Sequence, residues 1–184
     1  MSPLMPMTPM THNPTHLAWR RNWRAAALLA LGVAAPAWAE GGRQMPPNVP
    51  PAYTQECASC HLAYPPGLLP ARSWQRLMGG LDKHYGSDAS LDAALLQQIN
   101  SWLQAHAGTY KRVSEEPAQD RITRSAWFER KHRKIDATVW KLGSVKSAAN
   151  CAACHTGADR GVFDDDHLKF PEGLDARLRR PWND

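Results

Sequence analysis

Four cysteines fall as two Cys-x-x-Cys pairs, Cys57/Cys60 and Cys151/Cys154, and each pair is followed at once by a histidine, His61 or His155. Nothing else in the chain limits its possible folds as strongly. A Cys-x-x-Cys pair alone fits a zinc half-site, a redox dithiol or a covalent haem attachment. Zinc needs four ligands closing on one ion, which leaves both histidines unexplained. A redox dithiol needs one such pair, usually in a βαβ setting that this sequence lacks. Haem attachment uses every residue of both motifs. Two thiols three positions apart reach the two vinyl groups on one porphyrin edge, and the adjacent imidazole is carried under the ring to the iron. With 8 histidines in 184 residues, both following positions would be histidine by composition alone about once in 500 trials, against the haem signature. The chain is therefore expected to carry two haem c groups on Cys57, Cys60, Cys151 and Cys154, with His61 and His155 as the proximal iron ligands.

A thioether-bound haem implies export, and the first residues agree. Residues 16–24 are basic, Ala25 to Ala35 form an apolar run, and Ala37-Trp38-Ala39 offers small residues where a signal peptidase reads. This is a secretory leader, 1–39, with cleavage expected between Ala39 and Glu40. The apolar run is far short of the roughly 20 residues that span a bilayer core, so no stable membrane insertion is expected after cleavage. The expected location is the periplasm. Removal of Arg20, Arg21 and Arg24 with all 17 acidic residues retained lowers the formal charge from +5 to +2, and four haem propionates would cancel that excess. The pI of 9.2 is thus no argument for a nucleic-acid partner.

The remaining chain, 40–184, reads as one domain with an extended Pro-rich arm (40–55) and a tail (172–184). Helical spacing of Trp74, Leu77, Met78, Leu81 and His84 predicts a helix from Ser73 to about Tyr85, stopped at Gly86. A second is expected from Leu91 to Ala107, capped by Ser90 and stopped by Gly108, with Leu95, Ile99, Trp102, Leu103 and His106 on one stripe. A third covers about Arg124 to Lys134, with Thr123 as cap and Phe128, His132 and Ile135 on one side. No strand pattern is convincing. The fold class is mainly α, a small haem-cored cytochrome c-type fold with few helices, long loops and little or no β.

Each iron has a second axial position. After cleavage four further histidines remain, His84, His106, His132 and His167, against two methionines, Met45 and Met78, so two histidines per iron is the simplest assignment. His84 lies 23 residues after His61 and His132 lies 23 residues before His155, so each could close a loop over its own haem. His106 has equally good periodicity and competes for either iron. His167 follows Asp164-Asp165-Asp166, which reads as a solvated acidic turn.

Residues 56–74, from Glu56 through Cys57-Ala58-Ser59-Cys60-His61 to Trp74, resemble the first haem segment of the small bacterial dihaem cytochrome c family. Gly80 to Gly86, Trp127-Phe128 with His132, and Val145-Lys146-Ser147 before Cys151 are similar matches, and the resemblance covers most of 52–171. It implies six-coordinate, bis-histidine irons, with His84 opposite His61 and His132 opposite His155. Irons so closed have no open position for oxygen or peroxide and lack a potential-raising thioether. A low-potential electron carrier between a membrane donor and a soluble acceptor, with no catalytic residues, is therefore expected. By the resemblance its partners would be redox proteins such as a membrane b-type cytochrome and a small monohaem oxygen-binding cytochrome c. The rival readings are a dihaem peroxidase-like enzyme, which needs one iron able to lose its distal ligand, and a haem-based sensor. Between Arg121 and Lys146 there are eight Lys/Arg and two acidic residues, Glu129 and Asp136. This run is either a docking face for an acidic partner or a solvated face that balances propionates.

Overall fold

The computed structural model describes residues 44–109, 113–179 and 182; the expected leader, 1–39, lies outside them. Among the described residues, four short α-helices are joined by long connections that carry single 3₁₀ turns. They are α1 (Pro51–Cys57), α2 (Ala71–Met78), α3 (Ala93–His106) and α4 (Ala126–Lys131). The only β features among the described residues are three isolated bridges, Pro70 with Gly108, His84 with Ser87 and His155 with Leu168. The mainly helical class is as the sequence indicates.

The helix limits differ from those expected, each for a local reason. Pro51 sits at the first helical position, where its missing N–H is no loss, so the arm gives way to α1 and the helix runs into Cys57. The stretch expected to be helical from Ser73 to Tyr85 starts after Pro70 and stops at Gly79-Gly80. Leu81–Lys83 then forms a separate 3₁₀ turn that ends at His84. Two consecutive glycines resist helix continuation by backbone entropy, and this outweighs the apolar periodicity that runs through them. On α3 the cap is Asp92 and not Ser90: its carboxylate accepts from the Ala94 and Leu95 amides, both at 3.0 Å. On α4 it is Ser125 and not Thr123, with the Ser125 hydroxyl accepting from the Phe128 amide at 3.1 Å.

One apolar cluster gathers Tyr53 from α1, Leu69 from the loop before α2, Trp74 and Met78 from α2, and Ile99 and Leu103 from α3. Ile99 and Leu103 are 0% and 1% exposed, and truncating either to alanine should cost about 2–5 kcal/mol. The Trp74 indole N–H donates to the Pro66 carbonyl at 2.7 Å, which fixes the Pro-rich loop after His61 on top of this cluster. Gly108 closes α3 where no side chain fits: a Cβ there would meet the Gly67 carbonyl oxygen at 2.6 Å. All of this lies between the start of α1 and Gly108. Further along, the buried apolar residues Phe128 on α4 and Val139, Val145, Ala153, Ala158 and Leu174 on loops and single turns lie outside that cluster.

Candidate haem-binding sites

The Cys-x-x-Cys-His segments sit in different local settings. Cys57 ends α1, whereas Cys151–Ala153 is a 3₁₀ turn. All four cysteines are free of disulfides. Burial pushes the Cys57 and Cys151 thiols up to about 11 and raises that of Cys154 as well. Thiols held protonated are the opposite of the activated thiolate that a redox dithiol needs. Among the described residues no three His, Cys, Asp or Glu side chains converge on a possible metal position, so a zinc ion bound by both cysteine pairs has no site.

What the fold does bring together is histidines, in two pairs. His61 and His84 face each other with ring centres 6.0 Å apart and planes inclined by 26°. His132 and His155 do the same at 6.2 Å, with planes at 79°. An ion bound by two imidazoles, with bonds of about 2 Å and ring centres about 1 Å behind each nitrogen, sets those centres roughly 6 Å apart. Both pairs therefore have the separation that one iron between them requires.

The rings are prepared for that role in different ways. His61 Nδ1 donates to the Leu62 carbonyl at 2.7 Å, and the ring stacks on Tyr64 at 5.1 Å. His132 Nδ1 donates to the Phe128 carbonyl at 2.9 Å. Its ring lies flat on the Phe128 ring at 4.0 Å, with Trp140 edge-on at 6.0 Å. An N–H given to a carbonyl leaves the other ring nitrogen as a fixed lone-pair donor. His84 Nδ1 is buried with no hydrogen-bond partner, and its ring meets Tyr85 edge-on at 4.9 Å. Burial is the first cause that holds the His84, His132 and His155 imidazoles below the ordinary range, and the facing histidine adds to it at His84 and His155. A depressed imidazole is neutral at pH 7, and the neutral ring is the one that binds metal.

Tyr64 links the two haem segments. Its ring lies on His61, and its hydroxyl donates to the Ala149 carbonyl, two residues before Cys151, at 2.7 Å. The loop Tyr64–Pro70 thus does more than turn the chain. Among the described residues, the other two histidine candidates are not brought to a histidine partner. His106 gives its Nδ1 to the Trp102 carbonyl, one turn back on α3. His167 pairs with Asp164 on an exposed turn. Sequence reasoning passed over Tyr85 and Trp140 as neighbours of His84 and His132. For Tyr85 the one available signal was its place between His84 and Gly86.

A protein-family model for dihaem cytochrome c matches residues 53–163. The chain belongs to the dihaem cytochrome c family. No curated protein matches it. Among solved structures it is similar to the dihaem cytochrome c of Rhodobacter sphaeroides in two structures. One, of the purified protein, is 46% identical with a TM-score of 0.55, over 62% of this chain and 97% of that one. The other is 43% identical with a TM-score of 0.57, over 63% and 98%. The dihaem cytochrome c of Shewanella baltica OS155 is similar at 36% identity and a TM-score of 0.59, over 67% and 96%. Membership gives this chain two covalently bound haem c groups and the role of a haem-binding electron carrier. The donor set fits that cofactor: two thiol pairs, each with an adjacent imidazole, and a second imidazole across from each.

Proposed function

We propose that the protein is a periplasmic, low-potential electron shuttle with two histidines on each iron, His61 and His84 at haem 1 and His155 and His132 at haem 2. The observation that carries this reading is the pair of facing imidazoles, 6.0 Å and 6.2 Å apart. When bound, each haem supplies a one-electron couple at its iron. The chain's part is to saturate and shield that couple. With His61 and His84 holding one iron and His155 and His132 the other, no coordination position would remain for oxygen or peroxide, and the bound haems would supply electron exchange without bond making. Two nitrogen ligands also lack the potential-raising thioether of Met/His sites, which sets both couples low. Tyr64, packed on His61 and bonded to Ala149, fastens the two haem segments in one arrangement, so that the internal path does not fluctuate.

The suggested donor is a membrane b-type cytochrome and the suggested acceptor a small soluble cytochrome such as an oxygen-binding monohaem c type. Export from the cytoplasm follows from the leader pattern in 1–39. Among the described residues no helix is long and apolar enough to cross a membrane.

The test is electron paramagnetic resonance on the oxidised holoprotein with carbon monoxide titration of the reduced form. Two low-spin signals are expected. The nearly parallel rings of haem 1 should give an ordinary rhombic spectrum and the nearly perpendicular rings of haem 2 a signal with one large g value. Little carbon monoxide should bind. A high-spin iron in the untreated protein would favour the peroxidase-like reading instead.

A further inference from the structure

Tyr85, Gln119 and Asp120 have φ angles of 50°, 58° and 53°, in the left-handed region that glycine favours and other residues enter at a cost. Such residues persist where the surroundings over-determine them, and these three meet. The Tyr85 hydroxyl lies 2.9 Å from the Gln119 carbonyl oxygen and 3.1 Å from that of Asp120. The Arg121 guanidinium stands 4.0 Å over the Tyr85 ring. The Asp120 carboxylate is gripped by both Nε and Nη2 of Arg76, and the same Nη2 reaches Glu116 at 2.8 Å. A continuous set of contacts therefore runs from α2, through the turn 118–121, to the residue that follows His84.

Of the two histidines proposed as distal ligands, His84 is the one that needs outside support; His155 Nδ1 also lacks a partner, but His155 is tied directly to Cys154. The His84 Nδ1 has no partner, so no hydrogen bond of its own fixes the ring, as one does for His61 and His132. Its backbone is set by the short 3₁₀ turn Leu81–Lys83, with its amide donating to Leu81 and its carbonyl accepting from Ser87. Among the described residues, the one aromatic side chain paired with its ring, apart from His61, is Tyr85. We propose that Tyr85, fastened by Asp120 and Arg76, is the positioning residue that keeps His84 in the distal place of haem 1, so that loosening this clamp opens haem 1, and haem 1 alone, to a small neutral ligand. This rests on the bis-histidine reading of that iron.

The test uses carbon monoxide and the reduced holoprotein. Tyr85→Gly separates the clamp from the turn. If Tyr85 merely occupied a turn, glycine at φ 50° would relieve strain and leave the protein as stable or more so. If its side chain positions His84, the same substitution should instead let carbon monoxide bind, saturating at one per chain and not two. Tyr85→Phe keeps the ring under Arg121 and removes only the hydroxyl contacts, so a smaller rise is expected, roughly ten-fold in the association rate. Arg76→Ala, which frees Asp120 without touching Tyr85, should move the rate in the same direction. Carbon monoxide binding in Tyr85→Gly no greater than in the parent, with both irons low-spin, overturns the clamp and leaves the ligand assignment standing. A parent protein that already binds one carbon monoxide per chain overturns the ligand assignment itself.

Discussion

The two haem sites start from the same five-residue motif and place the facing histidine the same 23 residues away, yet they hold it by different means. At haem 2 the support is local. His132 closes α4, and the Phe128 carbonyl four residues back accepts from both its amide at 3.0 Å and its Nδ1 at 2.9 Å. The Phe128 ring then covers the imidazole. At haem 1 the support is remote, since His84 relies on Tyr85 and on a turn 34 residues further along. A ligand held within its own helix turn depends on few other residues. One held by a distant turn is exposed to every change in that turn, and equally open to adjustment through it. Removing each ligand should expose the contrast most. His84→Ala and His132→Ala should each give one high-spin iron and raise that haem's potential. The second should also lower stability by about 1–3 kcal/mol more than the first, because the imidazole leaves the Phe128 and Trp140 rings without their partner. His106→Ala should leave both irons low-spin. Equal losses of stability from His84→Ala and His132→Ala, measured by denaturant titration, would erase the distinction between local and remote support.

Acid should separate the sites next. His84 and His132 are both held below the ordinary imidazole range, by burial first. A depressed folded-state value means that this contribution to stability is present above the unfolded imidazole value of about 6.5 and is lost as pH falls through the folded one. Both irons should thus stay low-spin down past the ordinary imidazole value of about 6.5. Below that, haem 1 should open first, since His84 is less enclosed and has no Nδ1 bond while His132 keeps both. A pH titration followed by the high-spin absorption band checks this, and opening of haem 2 at the higher pH would reverse the ranking.

The difference in support also explains what the sequence could disclose. Cofactor attachment needs a fixed five-residue pattern, so Cys57 to His61 and Cys151 to His155 can be read without any structure. His132 is nearly as legible, because its partner Phe128 is one helical turn away and periodicity reports such neighbours. His84 can be matched by spacing and resemblance, but the helix expected to present it ends at Gly79, and its ring is aimed by a 3₁₀ turn instead. The clamp on Tyr85 was not legible at all. Left-handed φ at Tyr85, Gln119 and Asp120 arises from long-range contacts that no local pattern encodes, and only Gly86 marks the turn. Cap identity failed for a smaller reason: Ser90 and Asp92, or Thr123 and Ser125, are all good caps, and the packing of α3 and α4 chooses between them.

The smallest expected contrast concerns charge. At haem 1, Arg76 is engaged with Asp120 and Glu116 and Arg121 lies over Tyr85, while Lys83 stands exposed beside His84. At haem 2, Lys131, Arg133 and Lys134 flank His132 and are exposed, which would favour approach of an acidic redox partner to that haem. The turn bearing Asp164, Asp165 and Asp166 works against this, because Asp165 acts on the His132 and His155 imidazoles in the direction of positive charge. The net steering is therefore modest. Charge reversal at Lys131, Arg133 and Lys134 together should slow electron exchange with an acidic partner by about ten-fold at low ionic strength. The effect should shrink toward nothing as salt brings the screening length to roughly 8 Å at physiological ionic strength and less above it. Reversal of Lys83, beside His84, should do less, because haem 1 is not the entry that these charges mark. Stopped-flow exchange at several salt concentrations separates the possibilities. Rates unchanged by the triple reversal would mean that the basic run only balances propionates and solvates the end of α4. Equal slowing by Lys83→Glu would mean that the partner meets both haems alike.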